Sequence, residues 1–205
     1  MSRCFIFGAL SVGELSERPQ KEDMVIAADK GYDVALSLGL TPDLVVGDFD
    51  SRKEAPKVEN LVRLQVRKDD TDVGHAVELG FERGYTDFVI YGAVGGLLDH
   101  TFANVAIAHD IARRGGKALF IGEEYSFTAL HNSEKEFSYR DGGRISVFAL
   151  GGTAHGVSIK GLDYEVENFT LHCTDHIGVS NAIIGKPSRL SVAHGDLLIV
   201  WQTKE

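Results

Sequence analysis

Apolar and polar positions follow two different patterns along the chain, and the change falls near residue 122. Before it, short apolar runs at Cys4–Phe7, Met24–Ala28, Leu44–Val46, Leu61–Val66, Phe88–Tyr91 and Ala118–Ile121 predict strands. Helical patterns lie between them at Tyr32–Leu38, Thr71–Arg83 and His100–Arg113; the last carries Phe102, Val105, Ala106, His109 and Ala112 at helical spacing. Gly84 and Gly115 stand where the second and third helices should stop. Such alternation predicts a largely parallel sheet with helices on both faces. Ligands of these sheets collect at the carboxyl ends of strands, where Asp29, Asp48, Asp50 and Gly92 fall.

After residue 122 the runs are shorter and the helical period disappears. Phe127–Leu130, Lys135–Tyr139, Arg144–Ala149, Ala154–Ile159, Tyr164–Phe169, Ser188–Val192 and Leu197–Trp201 read as strands. Asp141-Gly142-Gly143, Gly151-Gly152 and His194-Gly195-Asp196 read as the turns between several of them. The fold class expected is therefore an α/β N-terminal domain over 1–122, mostly parallel and Rossmann-like in its layers. An all-β sandwich or barrel over 123–205 follows it.

Composition narrows the function more than the fold. A formal charge of −9 over 205 residues argues against a general nucleic-acid or membrane-surface role, since both need a basic face. Cys4 and Cys173 form no CxxC pair, and two cysteines are too few for a disulfide framework, so a reducing cytoplasm is the expected setting. The apolar stretch near the N-terminus is too short for a signal-peptide core, and no run approaches the roughly 20 apolar residues that span a bilayer.

The candidate chemistry is carried by carboxylates. Gly47-Asp48-Phe49-Asp50-Ser51 closes the third predicted strand, and Asp48 and Asp50, two apart, share a face of an ideal strand. Lys68-Asp69-Asp70-Thr71-Asp72 opens the second predicted helix. Carboxylates at strand ends and helix starts most often hold a hard cation, usually Mg²⁺, beside a phosphate ester. Each segment also has a plainer reading: the first as a turn, the second as a helix cap with Asp70 or Thr71 at the N-cap. Lys68 serves phosphate as a point charge or merely balances the acids. Gly92-Ala93-Val94-Gly95-Gly96 is a strand-to-helix turn whose glycines allow close approach to phosphate, yet it is neither a Walker A loop nor a GxGxxG fingerprint. Asp99 falls at the next helix start, and His100 and Asn104, four apart, share a helix face; alone, His100 reads as a surface or capping residue. No GxSxG elbow or HExxH spacing occurs.

Taken in order, these segments resemble the thiamine pyrophosphokinase family. The resemblance runs through Ala28-Asp29-Lys30-Gly31, Pro42-Asp43, Gly47–Ser51, Lys68–Asp72, Gly95-Gly96-Leu97-Leu98-Asp99-His100, Asn104, Gly161-Leu162-Asp163-Tyr164 and Gly178-Val179-Ser180-Asn181. It implies transfer of the diphosphate of ATP to the hydroxyl of thiamine, with release of AMP. It also implies a C-terminal β-sandwich that helps bind thiamine, and a homodimer with sites between subunits. Carried over by motif, Asp48, Asp50 and Asp72 would hold Mg²⁺ with Asp69 close by. Asp29, Lys68, Gly95, Gly96 and His100 would serve the nucleotide. Asp99 and Asn104 would line the transfer site, Asp99 joining the three metal-binding aspartates as a catalytic candidate. Ser180 and Asn181 would contact the thiamine pyrimidine.

Two departures stand out. Leu97 occupies a position where the family often carries arginine, and Cys173-Thr174-Asp175-His176 replaces a stretch that is commonly more basic. Two other readings stay open. One is a Mg²⁺-dependent phosphohydrolase on a nucleotide-like substrate; the other is a thiamine- or nucleotide-binding protein with weakened turnover.

Overall fold

The computed structural model describes residues 2–47, 61–63 and 71–204, and for 61–63 the backbone alone. The chain divides into two compact units, Met1–Ile107 with Ala118–Gly122, and Ala108–Lys117 with Glu123–Glu205.

The first unit begins with β1 (Cys4–Phe7), β2 (Met24–Ala28), α1 (Gly31–Ser37), β3 (Leu44–Gly47) and β4 (Leu61–Arg63). It continues with α2 (Asp72–Glu82), β5 (Asp87–Tyr91), the start of α3 (Leu98–Arg113) and β6 (Lys117–Ile121). The strand order is β4-β3-β2-β1-β5-β6, and the pairings from β4 through to β5 are parallel. Near-continuous burial of β1, β2, β3 and β5 is what a parallel sheet packed on both faces requires. Strand alternation sends Phe5, Phe7, Val25, Val89 and Tyr91 into one cluster with Ala35 of α1. The opposite side chains, Cys4 and Phe88, lie under Gly80 of α2, where an added Cβ would come 2.5 Å from the Phe88 ring. Burial pushes the Cys4 thiol up to about 12, so it packs as a small apolar side chain.

α1 starts hard against β1. A Cβ on Gly31 would fall 1.8 Å from the Phe7 carbonyl oxygen, a backbone atom that cannot move aside. Gly31→Ala is therefore expected to destabilise the fold by about 3 kcal/mol, read as a lower denaturant midpoint.

The second unit is antiparallel. It comprises β7 (Tyr125–His131), β8 (Glu134–Phe137), β9 (Arg144–Lys160), β10 (Val166–His172), β11 (Asn181–Ala182), β12 (Ser188–Ser191) and β13 (His194–Gln202). Where the sequence predicts two strands around a Gly151-Gly152 turn, β9 runs unbroken through it. Gly151 and Gly152, at φ 63° and 157°, bend the strand instead of reversing it. The first half of β9 pairs with β13 and β11, and the second half with β12 and β10. His194-Gly195-Asp196, also read as a turn, is the start of β13, with Gly195 at φ 111° and a register shift between His194 and Asp196. No helix among the described residues is long and apolar enough to cross a membrane.

Candidate active site

The parallel register of the first unit brings several chain ends to one sheet edge. Phe7 is level with Ala27 and Tyr91, and Ala28 with Val46. Gly8, Asp29 and Gly92 therefore leave the sheet together, beside Gly47 at the end of β3. Asp29 adopts a left-handed φ of 49°, which aspartate tolerates better than most residues, and its N–H donates to Val46 O at 2.6 Å. Asp48 and Asp50, which continue from Gly47, lie outside the described residues, as do Lys68 and Asp69.

The glycine turn is zipped to the end of β1 by backbone alone. Gly8 N–H donates to Tyr91 O at 2.7 Å and Leu10 N–H to Gly92 O at 3.0 Å. A Cβ on Gly92 would fall 2.7 Å from the carbonyl oxygens of Gly8 and Leu10, so this approach requires glycine. Gly95 and Gly96 follow at φ 98° and 66°, both exposed. The start of α3 then props the turn. Thr101 Oγ1 donates to Gly95 O at 3.2 Å, and Asn104, only 5 % exposed, donates from Nδ2 to Ala93 O at 2.6 Å. At least one donor of the Asn104 amide thus serves the turn from beneath. Asp99 is exposed in the first turn of α3, where its Oδ1 accepts from His100 N–H at 2.8 Å. His100 is likewise exposed. Asp72 is the first residue of α2, partly exposed, behind the cap formed by Thr71 Oγ1 and Gly74 N–H at 3.0 Å.

Ser180 and Asn181 belong to the second unit. Ser180 is exposed with a left-handed φ of 61°, and its N–H donates to Ser146 Oγ at 3.0 Å. Gly178 presses against β9: its carbonyl accepts from Val147 N–H at 2.7 Å, and a Cβ would fall 2.1 Å from Val147 O. Beside this segment is an apolar cavity of about 280 Å³, lined by Val147, Tyr164, Phe169, Ile177, Val179 and Asn181 among others. Asn181 itself is buried, with its amide engaged by Tyr164.

One polar cluster has no counterpart in the sequence reading. Asp196, with its side chain 6 % exposed, is hydrogen-bonded to Arg113 Nη1 at 2.9 Å and His131 Nδ1 at 2.5 Å, with His109 Nε2 3.1 Å away. An amide nitrogen only donates, so Asn132 Nδ2, 2.9 Å from His131 Nε2, fixes the His131 proton on Nδ1 facing the carboxylate. Burial pushes the Asp196 carboxyl up, but the neighbouring His109, His131 and Arg113 outweigh it and hold it below the usual carboxylate range. His109 and Arg113, four apart on one helix, were the available signal; their acidic partner is distant in sequence.

Among the described residues, no group of three His, Cys, Asp or Glu side chains stands close enough to hold a metal ion. Of the proposed ligands, only Asp72 is described.

Comparison with known proteins places this geometry in a family. The curated thiamine pyrophosphokinase of Bacillus subtilis (strain 168) is 24% identical over 199 residues, covering 94% of this chain and 93% of that protein. The crystal structure of thiamine pyrophosphokinase from Bacillus subtilis superposes with a TM-score of 0.86 at 22% identity, covering 99% of this chain and 100% of that one. That of thiamin pyrophosphokinase from Geobacillus thermodenitrificans gives 0.83 at 21% identity and 98% coverage of each chain. The family model for the thiamin pyrophosphokinase catalytic domain matches residues 16–120, and that for the thiamin pyrophosphokinase vitamin B1 binding domain matches residues 132–196. With the catalytic-domain match alone spanning more than half of it, the chain belongs to the thiamin pyrophosphokinase family.

Proposed function

We propose that this chain transfers the β,γ-diphosphate of ATP to the hydroxyethyl oxygen of thiamine. The alcohol oxygen attacks the β-phosphorus, the bond between the α,β-bridging oxygen and that phosphorus breaks, and AMP leaves with the bridging oxygen. The alcohol proton passes to a carboxylate. The observation that carries this reading is the sheet edge from which Asp29, the Gly92–Gly96 turn and the end of β3 at Gly47 emerge together. Exposed glycines there offer backbone N–H groups to phosphate, and the carboxylates offer oxygen donors.

Residues 1–122 act as the catalytic domain, with Rossmann-like layers, and 123–205 as a β-sandwich that binds thiamine. Asp29, Lys68, Asp69, Gly95, Gly96 and His100 serve the nucleotide, and Asp99 lines the transfer site. Asp48, Asp50 and Asp72 are the ligands assigned to Mg²⁺; an all-carboxylate donor set suits a hard cation. Mg²⁺, when bound, neutralises charge on the triphosphate oxygens. The chain's own task is positioning, which requires the turn held by Asn104 and Thr101 to keep its shape. The reading extends to a cytoplasmic homodimer with its sites at the subunit interface.

Product analysis with ATP, Mg²⁺ and thiamine tests the reading. AMP appearing only when thiamine is present supports it, whereas phosphate released without thiamine supports the hydrolase instead. A binding protein without turnover would take up thiamine and form no AMP. Leu97, 66 % exposed at the end of the glycine turn, gives that last reading its one foothold. Leu97→Arg is expected to raise kcat/KM about tenfold by adding a charge-assisted phosphate contact. An unchanged value in steady-state kinetics would assign that role to Lys30, Arg67 or Lys68.

A further inference from the structure

The motif assigns Asn181 to the thiamine pyrimidine, but both ends of its amide are already engaged. Its Oδ1 accepts from Tyr164 N–H at 2.9 Å, and its Nδ2 donates to Tyr164 O at 2.7 Å. The side chain thus grips both polar groups of one residue, as a neighbouring strand would. With Asn181 only 8 % exposed, little of the amide remains for a ligand. Tyr164 is the opposite case: 73 % exposed, yet part of the lining of the apolar cavity. The backbone around it is over-determined. Gly161 N–H donates to Glu165 Oε1 at 2.7 Å, Asp163 N–H donates to Ala182 O at 3.0 Å, and Leu162 bridges Ile183.

We propose that Asn181 is a positioning residue that acts on the substrate through Tyr164, by fixing the Tyr164 backbone so that its ring stands at the mouth of the apolar cavity. A large aromatic face rooted in a fixed backbone beside an apolar hollow suits a flat heteroaromatic ring, and a cationic one above all. Thiamine is such a molecule, so the inference rests on the kinase reading and divides the work within the second unit. Tyr164 supplies the ring face, while Ser180, exposed and held in its left-handed conformation by Ser146 and Gly178, supplies the polar contact. Asn181 touches neither the ligand nor the reacting atoms.

A double-mutant cycle over wild type, Asn181→Ala, Tyr164→Ala and the double variant separates this role from direct contact. Thiamine affinity is read by calorimetry, kcat and both KM values by AMP release, folding by thermal melting, and Tyr164 amide protection by hydrogen exchange. Each single variant is expected to weaken thiamine binding about tenfold, with kcat and the KM for ATP within about twofold of wild type. The double variant is expected to bind no worse than Tyr164→Ala, and Asn181→Ala to lose the Tyr164 amide protection. Should Asn181→Ala fail to fold, Asn181→Asp keeps the bond accepted from Tyr164 N–H and turns the donated one into an oxygen facing Tyr164 O; its expected loss runs through the same residue and is absent in the Tyr164→Ala background. Effects that multiply in the double variant, unchanged thiamine affinity in a folded Asn181 variant, or a fall in kcat alone would overturn the proposal. Wild type that neither binds thiamine nor forms AMP overturns the kinase reading as well; wild type that does both, with a multiplicative cycle, overturns the positioning role alone.

Discussion

Asp72→Asn is expected to lower kcat at least about a thousandfold while shifting the melting temperature by no more than a few degrees. The substitution preserves shape and removes one charge. The α2 cap does not depend on that charge, because Thr71 supplies the oxygen that receives Gly74 N–H. Loss of an acid from the first turn costs about 0.3–1 kcal/mol through the helix dipole. A carboxylate that helps neutralise a triphosphate has no such substitute, because an amide oxygen carries no net charge. The same loss is expected for Asp48→Asn and Asp50→Asn. Steady-state AMP release paired with thermal melting checks all three. Near-normal turnover in a folded Asp72→Asn protein would remove Asp72 from the catalytic set.

An effect on stability at least as large as that of Gly31→Ala is expected at Asp196. Asp196→Ala removes the carboxylate that Arg113, His109 and His131 surround and leaves a buried space among them. Breaking a buried ion pair costs about 3–5 kcal/mol, and the exposure of Arg113 places this one near the lower limit, equivalent to a fall of roughly 6–12 °C in melting temperature. The pH dependence has a definite sign. A carboxyl held below its ordinary range stabilises the fold fully above the unfolded value, about 3.9, and that contribution is lost as pH falls through the lower folded value. Melting followed from neutral pH to about pH 2 should therefore show a shallower acid loss in Asp196→Asn than in wild type. Identical acid profiles would mean that the charge of Asp196 contributes nothing to stability.

Much of the first unit was legible because its period is simple. Near-continuous apolar runs alternating with helical spacing leave few arrangements open, and a parallel sheet sends Asp29 and Gly92 to the same edge. The second unit was read correctly as mostly strands, but two of its predicted turns belong to strands and β11 was not predicted. A glycine pair looks the same in sequence whether it turns a strand or bends it, and only the partners of β9 decide. Side-chain-to-backbone bonds were less legible still. Asn104 and Asn181 both sit in motifs that point to a ligand, yet each has amide groups bound to the chain itself. Asp196 looked like a turn residue because the histidines and arginine around it come from α3 and β7, 65 to 87 positions away. Asp48, Asp50, Lys68 and Asp69 lie outside the described residues, so their place in the site rests on motif and chain order.

The claim on which the rest depends is that one enzyme joins a diphosphate to thiamine. ATP labelled at the β-phosphorus tests it most directly, in the presence of Mg²⁺ and with or without thiamine. Diphosphate transfer puts the label in thiamine diphosphate, formed in step with unlabelled AMP and absent when thiamine is withheld. Label recovered in ADP or in free phosphate or diphosphate, at a rate indifferent to thiamine, would contradict it.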